Sequence, residues 1–274
     1  MKNTEKKAYQ GISEIGEDQN TEVENQDNSQ FIDMSLAKDI EAYFQENGID
    51  HEKVAYCITD LEHNIKYSMN EKDEFIAASI YKLPLAMLYY DKVNEGEYTL
   101  DSTFTYSGYM HEDAGVISSD YGIGSQVPLS DLLNDLIIYS DNDAGHILYE
   151  NLGGWKEYKE AMTKYTDSIS ENYYTMDNVT TANTMNDVVT YLYDHKEDYK
   201  GLIKNMEEAE PGEYLDRDTQ LSMPQKYGMY DSALNSVGFV ECNTSYSIVV
   251  LTSLGDKGAD VMANINRIAY EHFK

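Results

Sequence analysis

The chain has 274 residues and is 41% hydrophobic, enough for one large domain or two small ones with a sizeable core. Fifty acidic residues against twenty basic ones give a formal charge of −30, which repels nucleic acid and anionic lipid and excludes nucleic-acid binding as the function. No run of about 18 consecutive apolar residues occurs, so no transmembrane helix is expected.

Residues 1–34 are rich in Glu, Asp, Asn, Gln and Ser and carry isolated apolar residues without a period, the pattern of a disordered acidic stalk or linker. The start, MKNTEKKAYQ, lacks the apolar middle of a signal peptide. From Ser35 a helical face appears in Leu36, Ile40, Tyr43 and Phe44, with Ser35 as its cap and Gly48 as its stop. Strand-like runs at 54–59 and 65–69 read as a hairpin, and a helix is expected from about Ser79 to Asn94, closed by Gly96.

The middle of the chain is helical. Leu132, Leu133, Leu136 and Ile137 make one apolar face and residues 144–152 another, stopped by Gly153 and Gly154. Further helical patterns cover 155–165 and 184–193, strands return at 234–242 and 246–253, and Val261, Ile265, Ile268 and Phe273 mark a closing amphipathic helix. This order of helix, strands, helical insert, strands and helix predicts a mixed α/β (α+β) fold. In it, an antiparallel sheet built from both chain ends is flanked by the terminal helices and by the insert.

Ser79 and Lys82 lie three residues apart, on one face of a helix that starts at or near the serine, so a nucleophile and its base come within reach. The unpaired N–H groups of such a helix start favour the oxyanion of an attacked carbonyl, and Pro84 fits a position close to that start. The pair alone arises about once by chance in a chain of this composition, so its context decides. Ser140-Asp141-Asn142 stands at a break between two amphipathic helices, and Lys226-Tyr227-Gly228 opens the C-terminal strands, where a cation can face a carboxylate.

In this order and setting, AASIYKLPLAMLYY, GSQVPLSDLLNDLIIYSDNDAGHILYENLGG and QKYGMYDSALNSVGFVECNTSYSIVVLT resemble the class A β-lactamase family of penicillin-recognising serine enzymes over residues 35–274. The resemblance implies a five-stranded antiparallel sheet flanked by helices (35–75 and 222–274) plus an all-α subdomain (76–221). It implies Ser79 as the acylated nucleophile, Lys82 as the acylation base and Ser140 as proton relay to the leaving nitrogen. Asn142 would bind the substrate amide and Lys82. Lys226 would attract the substrate carboxylate and depress the Lys82 pKa, with Tyr227 and Gly228 beside it, and the N–H groups of Ser79 and Met229 would form the oxyanion hole.

Two departures from the family pattern stand out. The family's deacylation glutamate belongs to a Glu-x-x-Leu-Asn setting between the Ser-Asp-Asn motif and the Thr-Thr start of the next helix, and residues 163–181 lack it. Glu171 is the only glutamate there, and the near match at Asp231 to Asn235 falls after Lys226. Tyr227 replaces a threonine or serine whose hydroxyl helps to bind the carboxylate. Its ring either crosses the groove or swings aside.

Cys57 and Cys242 are expected to be free thiols, because in the family sheet the last strand separates their strands by roughly 9 to 10 Å, beyond the ~7 Å bridging limit. Scattered histidines, without HExxH or a Cys/His cluster, give no metal site or cofactor, and His146 reads as a packing or surface residue rather than a site residue. Twenty-five tyrosines against six phenylalanines read as half-buried positions of a polar protein rather than a recognition face. Three functions follow: a β-lactamase-type serine hydrolase with slow deacylation, a D-alanyl-D-alanine peptidase of cell-wall peptides, or a non-catalytic cell-surface module with the same fold. The expected partner is a small β-lactam or wall peptide, the expected state a monomer and the expected location extracytoplasmic.

Overall fold

The computed structural model describes residues 34–108, 115–219 and 221–274. The segment read as an acidic stalk lies, apart from Met34, outside the described residues. Helix α1 (Ser35–Asn47) buries Leu36, Ile40 and Phe44 at helical spacing and stops at Gly48, whose left-handed φ of 60° lets its N–H return to the Phe44 carbonyl. Ser35 is not the cap. Met34 holds that position, and Ser35 is the first helical residue, with its hydroxyl 3.3 Å from His272 Nδ1 of the last helix.

Strands β1 (Val54–Asp60) and β2 (Ile65–Met69) form the expected antiparallel hairpin, and a short β3 (Phe75–Ile76) follows. A 3₁₀ turn, Ala78–Tyr81, leads into α2 (Lys82–Asn94), and Gly96 follows its end at φ 77°. The insert continues through β4 (Thr103–Thr105), α3 (Val116–Asp120), β5 (Gln126–Pro128), α4 (Leu129–Ile137), α5 (Asn142–Asn151) and α6 (Trp155–Met162). After β6 (Val179–Thr180) come α7 (Ala182–Asp194) and α8 (Lys200–Glu207). The chain closes with β7 (Gln225–Tyr230), β8 (Ala233–Val240), β9 (Tyr246–Thr252) and α9 (Lys257–Phe273).

The main sheet is antiparallel and five-stranded, in the order β2-β1-β9-β8-β7. Because side chains alternate along a strand, β1 splits its residues between two layers. Tyr56 and Ile58 join α1 and α9 residues such as Phe44, Val261 and Ile265, while Ala55 and Cys57 join Val188, Val189 and Leu192 of α7 on the other face. Both faces are therefore covered. Cys57 and Cys242 are free, and β9 lies between β1 and β8, as the strand order required.

Two small ladders, β3 with β6 and β4 with β5, escape the sequence reading, because two or three residues carry no measurable period of two. The first matters for the site. It ties the chain just before Ser79 to the end of the 166–178 loop, pairing Phe75 with Thr180 and Ile76 with Val179. No helix among the described residues is long and apolar enough to cross a membrane.

Candidate active site

Ser79 sits in the 3₁₀ turn rather than in the first turn of the α-helix, which begins at Lys82. Residues i and i+3 eclipse in a 3₁₀ helix, so the shared face of Ser79 and Lys82 survives this shift. Ala78, immediately before the serine, has φ 50°, a left-handed conformation that costs a residue with a side chain ~1–3 kcal/mol unless its surroundings impose it. They do so through backbone contacts. Buried Asn235 of β8 donates from Nδ2 to the carbonyls of Ile76 (2.8 Å) and Ala77 (3.1 Å), and its Oδ1 accepts from Thr252 N–H. Asn178 accepts from Ala77 N–H through its carbonyl (2.8 Å) and donates from Nδ2 to the Ala78 carbonyl (2.8 Å).

Lys82 is fully buried, and its amine donates to the Ser140 carbonyl (2.5 Å) and Asn142 Oδ1 (2.6 Å), with Ser140 Oγ at 3.4 Å. The Ser-Asp-Asn break thus meets the serine–lysine turn. Ser140 has φ 56°, and Asp141 fixes the break from behind. Asp141 Oδ1 caps α5 by accepting from Ala144 N–H, while Oδ2 accepts from the N–H groups of Val116 and Ile117 in α3.

On the opposite side stands β7, the edge of the main sheet. A Cβ added at Gly228 would fall 2.6 Å from Ser79 N, so only glycine permits this approach of strand to turn. Lys226 is fully buried, and its Nζ has no hydrogen-bond partner among the described residues. Burial first, and then repulsion from the Lys82 charge, push the Lys226 pKa well below that of an ordinary lysine. The Tyr227 ring covers Lys226, with Nζ 4.2 Å from its centroid, and stacks on Tyr214 at 4.7 Å between centroids. Met229 and Tyr230 at the end of β7 are exposed, and Tyr230 lines an open cavity with Ile76, Met176 and Val179.

Under the turn, Tyr81, Trp155 and Tyr158 pack edge-on or tilted with centroids 5.1–6.0 Å apart, and the Tyr158 hydroxyl donates to the Tyr81 carbonyl. Glu171 is exposed on the 166–178 loop. Its neighbour Asn172 donates from N–H (2.9 Å) and Nδ2 (2.8 Å) to Glu74, whose carboxyl pKa is lowered by these bonds. His146 lies buried with Nδ1 2.7 Å from the Tyr149 hydroxyl, so of the packing and surface positions expected for it the structure shows the packing one. No three or more His, Cys, Asp or Glu side chains gather as metal ligands among the described residues.

Sequence reasoning missed Asn178, Asn235 and Glu74. Each works by gripping the backbone, for which no residue spacing is diagnostic.

The fold has close counterparts among solved structures. A β-lactamase from Chitinophaga pinensis superposes with a TM-score of 0.73 at 21% identity, over 88% of this chain and 100% of that one. The TLA-3 extended-spectrum β-lactamase gives 0.73 at 20%, over 87% and 98%. A PBP-A mutant captured as an acyl-enzyme complex with penicillin G gives 0.74 at 17%, over 88% and 96%. No curated protein matches the chain. The model of the β-lactamase enzyme family matches residues 35–273, and with the five-stranded sheet and the three motifs in their expected order, the chain belongs to that family.

Proposed function

We propose that the protein is a serine hydrolase in which Ser79 attacks a β-lactam or a D-alanyl-D-alanine-like amide and becomes acylated. The observation that carries this reading is the Lys82 amine, buried beside the Ser79 turn and bonded at once to Ser140 and Asn142. In the proposed step Ser79 Oγ bonds to the amide carbon, its proton passes to the neutral amine of Lys82, and as the C–N bond breaks Ser140 gives its hydroxyl proton to the nitrogen and takes the replacement from Lys82, which returns to the neutral amine. The N–H groups of Ser79 and Met229 stabilise the oxyanion, and Asn142 orients the substrate amide.

Burial of Lys226 under Tyr227 supports a site in which its charge acts as a field rather than by direct contact with a carboxylate. Deacylation is proposed to be slow. The only glutamate in the 163–181 stretch is exposed Glu171, and the floor of the site is aromatic. One positioned acid or base contributes ~10²- to 10⁴-fold to a rate, so its loss leaves an adduct that accumulates.

Intact-mass measurement after incubation with a chromogenic penicillin tests this reading. An adduct mapped to Ser79, absent from Ser79→Ala, with one equivalent of product before a slow steady state, is the expected result. An equal adduct in Ser79→Ala would refute the assignment of the nucleophile, and fast turnover without a burst would refute slow deacylation. Inertness toward β-lactams together with release of D-alanine from a wall peptide would select the peptidase reading, and inertness toward both the binding-module reading.

A further inference from the structure

Lys159, on α6, belongs to none of the three motifs, yet it is one of the most committed charges in the molecule. Its side chain is buried, and Nζ donates to three backbone carbonyls of the 166–178 loop, those of Tyr173 (2.6 Å), Thr175 (2.9 Å) and Asp177 (2.6 Å). A lysine ammonium has three N–H donors, and here all three are used, which requires the protonated form. The charge also lies 5.1 Å from the ring centroids of Trp155, four residues earlier on the same helix, and of Tyr173. Burial lowers the Lys159 pKa, and Asp177 opposes that shift.

The carbonyls it collects lead directly to the nucleophile. Asp177, the last of them, precedes Asn178, whose carbonyl and side chain hold Ala77 N–H and the Ala78 carbonyl. Those two residues precede Ser79, and Ala78 is the strained, left-handed one. β6 begins one residue further on, so the loop end has no slack between its Lys159 anchor and its grip on the turn.

We propose that Lys159 is a positioning residue for acylation: by fixing the backbone of residues 173–177 it holds Asn178 against the turn and so sets the geometry of Ser79. This rests on the acyl-enzyme reading for its kinetic consequence, but not for its structural one. The loop is therefore braced from beneath by one cation that satisfies three carbonyls, and the brace ends at the nucleophile.

Backbone hydrogen exchange and acylation kinetics, measured together on the full chain, test the proposal. In Lys159→Met, which keeps the length and apolar stem but removes the donors, exchange of the peptide covering residues 77–81 should accelerate about tenfold or more, while peptides from α1 and α9 stay as in the wild type. Acylation of the folded fraction should fall at least tenfold, and Lys159→Arg should recover part of both effects. Should Lys159→Met fail to fold, Asn178→Ala, which breaks the last link only, must reproduce the exchange change at 77–81. Unchanged exchange at the turn, or uniform acceleration across the chain, would overturn the proposal. A wild type that never forms an adduct would sink the acyl-enzyme reading and leave the exchange result to judge Lys159.

Discussion

Gly228→Ala isolates the contact between β7 and the Ser79 turn. An ideal Cβ on residue 228 falls 2.6 Å from Ser79 N, 2.8 Å from Ile80 N and 3.1 Å from the Ala77 carbonyl oxygen. Ordinary contact needs about 3.4 Å or more, so strand and turn must part by on the order of 0.8 Å. All three atoms are backbone, and the turn is tied on its other sides by Asn178 and Asn235, so no side chain can rotate away to absorb the clash. Overpacking of this kind costs ~1–3 kcal/mol. For a protein of this size each kcal/mol lowers the thermal midpoint by about 2–4 °C. The chemical cost is larger, because a misplacement near 1 Å in an active site reduces rates by about 10²-fold. Stopped-flow acylation with a chromogenic β-lactam should therefore show a fall of about 10²-fold beside a modest drop in thermal midpoint. Gly122→Ala is the control, since its Cβ would meet only Ser125 Oγ at 3.9 Å, and it should change neither quantity. Undiminished acylation in Gly228→Ala would refute the argument that this glycine sets the position of Ser79.

Two further outcomes follow from side chains that the geometry singles out. Tyr227→Thr removes the ring that covers Lys226 and should raise acylation by carboxylate-bearing penicillins by about tenfold or more relative to uncharged esters of the same lactams, a ratio read from competition kinetics; an unchanged ratio would mean that the ring does not screen the cation. Asp135 is buried, and burial, followed by the charges of Asp141, Asp131 and Asp120, raises its pKa to about 7. With the folded value above the unfolded one, its protonated form contributes stability that is complete below pH ~3.8 and lost as pH rises through about 7. The gap corresponds to ~4 kcal/mol unscreened and, discounted for partial solvent access, to about 1–2 kcal/mol. Asp135→Asn should therefore raise the thermal midpoint by several degrees at pH 8 and lose that advantage near pH 4. Equal midpoints at pH 8 would refute this account.

The fold is legible in the sequence wherever a period or a stop is long enough to register. The α1 face ending at Gly48, the β1–β2 hairpin and the closing helix α9 are found within a few residues of their observed bounds. The three motifs are legible because the chemistry proposed for them demands particular side chains at fixed offsets. The braces are not. Lys159, Asn178 and Asn235 recognise carbonyl and amide groups that every residue carries, so partners as distant as Asn235 and Ile76 leave no pattern in the chain. Asp231 to Asn235 illustrates the difference: as a displaced glutamate-type motif it carries no sense, yet Asn235 proves to be the residue that holds the backbone ahead of Ser79.

The distribution of strain and buried charge gives those braces a purpose. Ala78 and Ser140 are two of the six non-glycine residues with positive φ among the described residues, and Lys82 and Lys226 are fully buried lysines. Left-handed backbone at such residues costs ~1–3 kcal/mol each, and a buried amine without a hydrogen-bond partner adds to that. Features of this kind persist only where the surroundings over-determine them, and here the surroundings are identifiable: Asn235 and Asn178 around Ala78, Asp141 behind Ser140, and the Tyr227 ring over Lys226. Removing a brace should thus relax the turn toward ordinary backbone and so lose the geometry of Ser79 before it loses the fold. For that reason local hydrogen exchange at the turn, rather than global stability, is the sensitive measure of what each brace contributes.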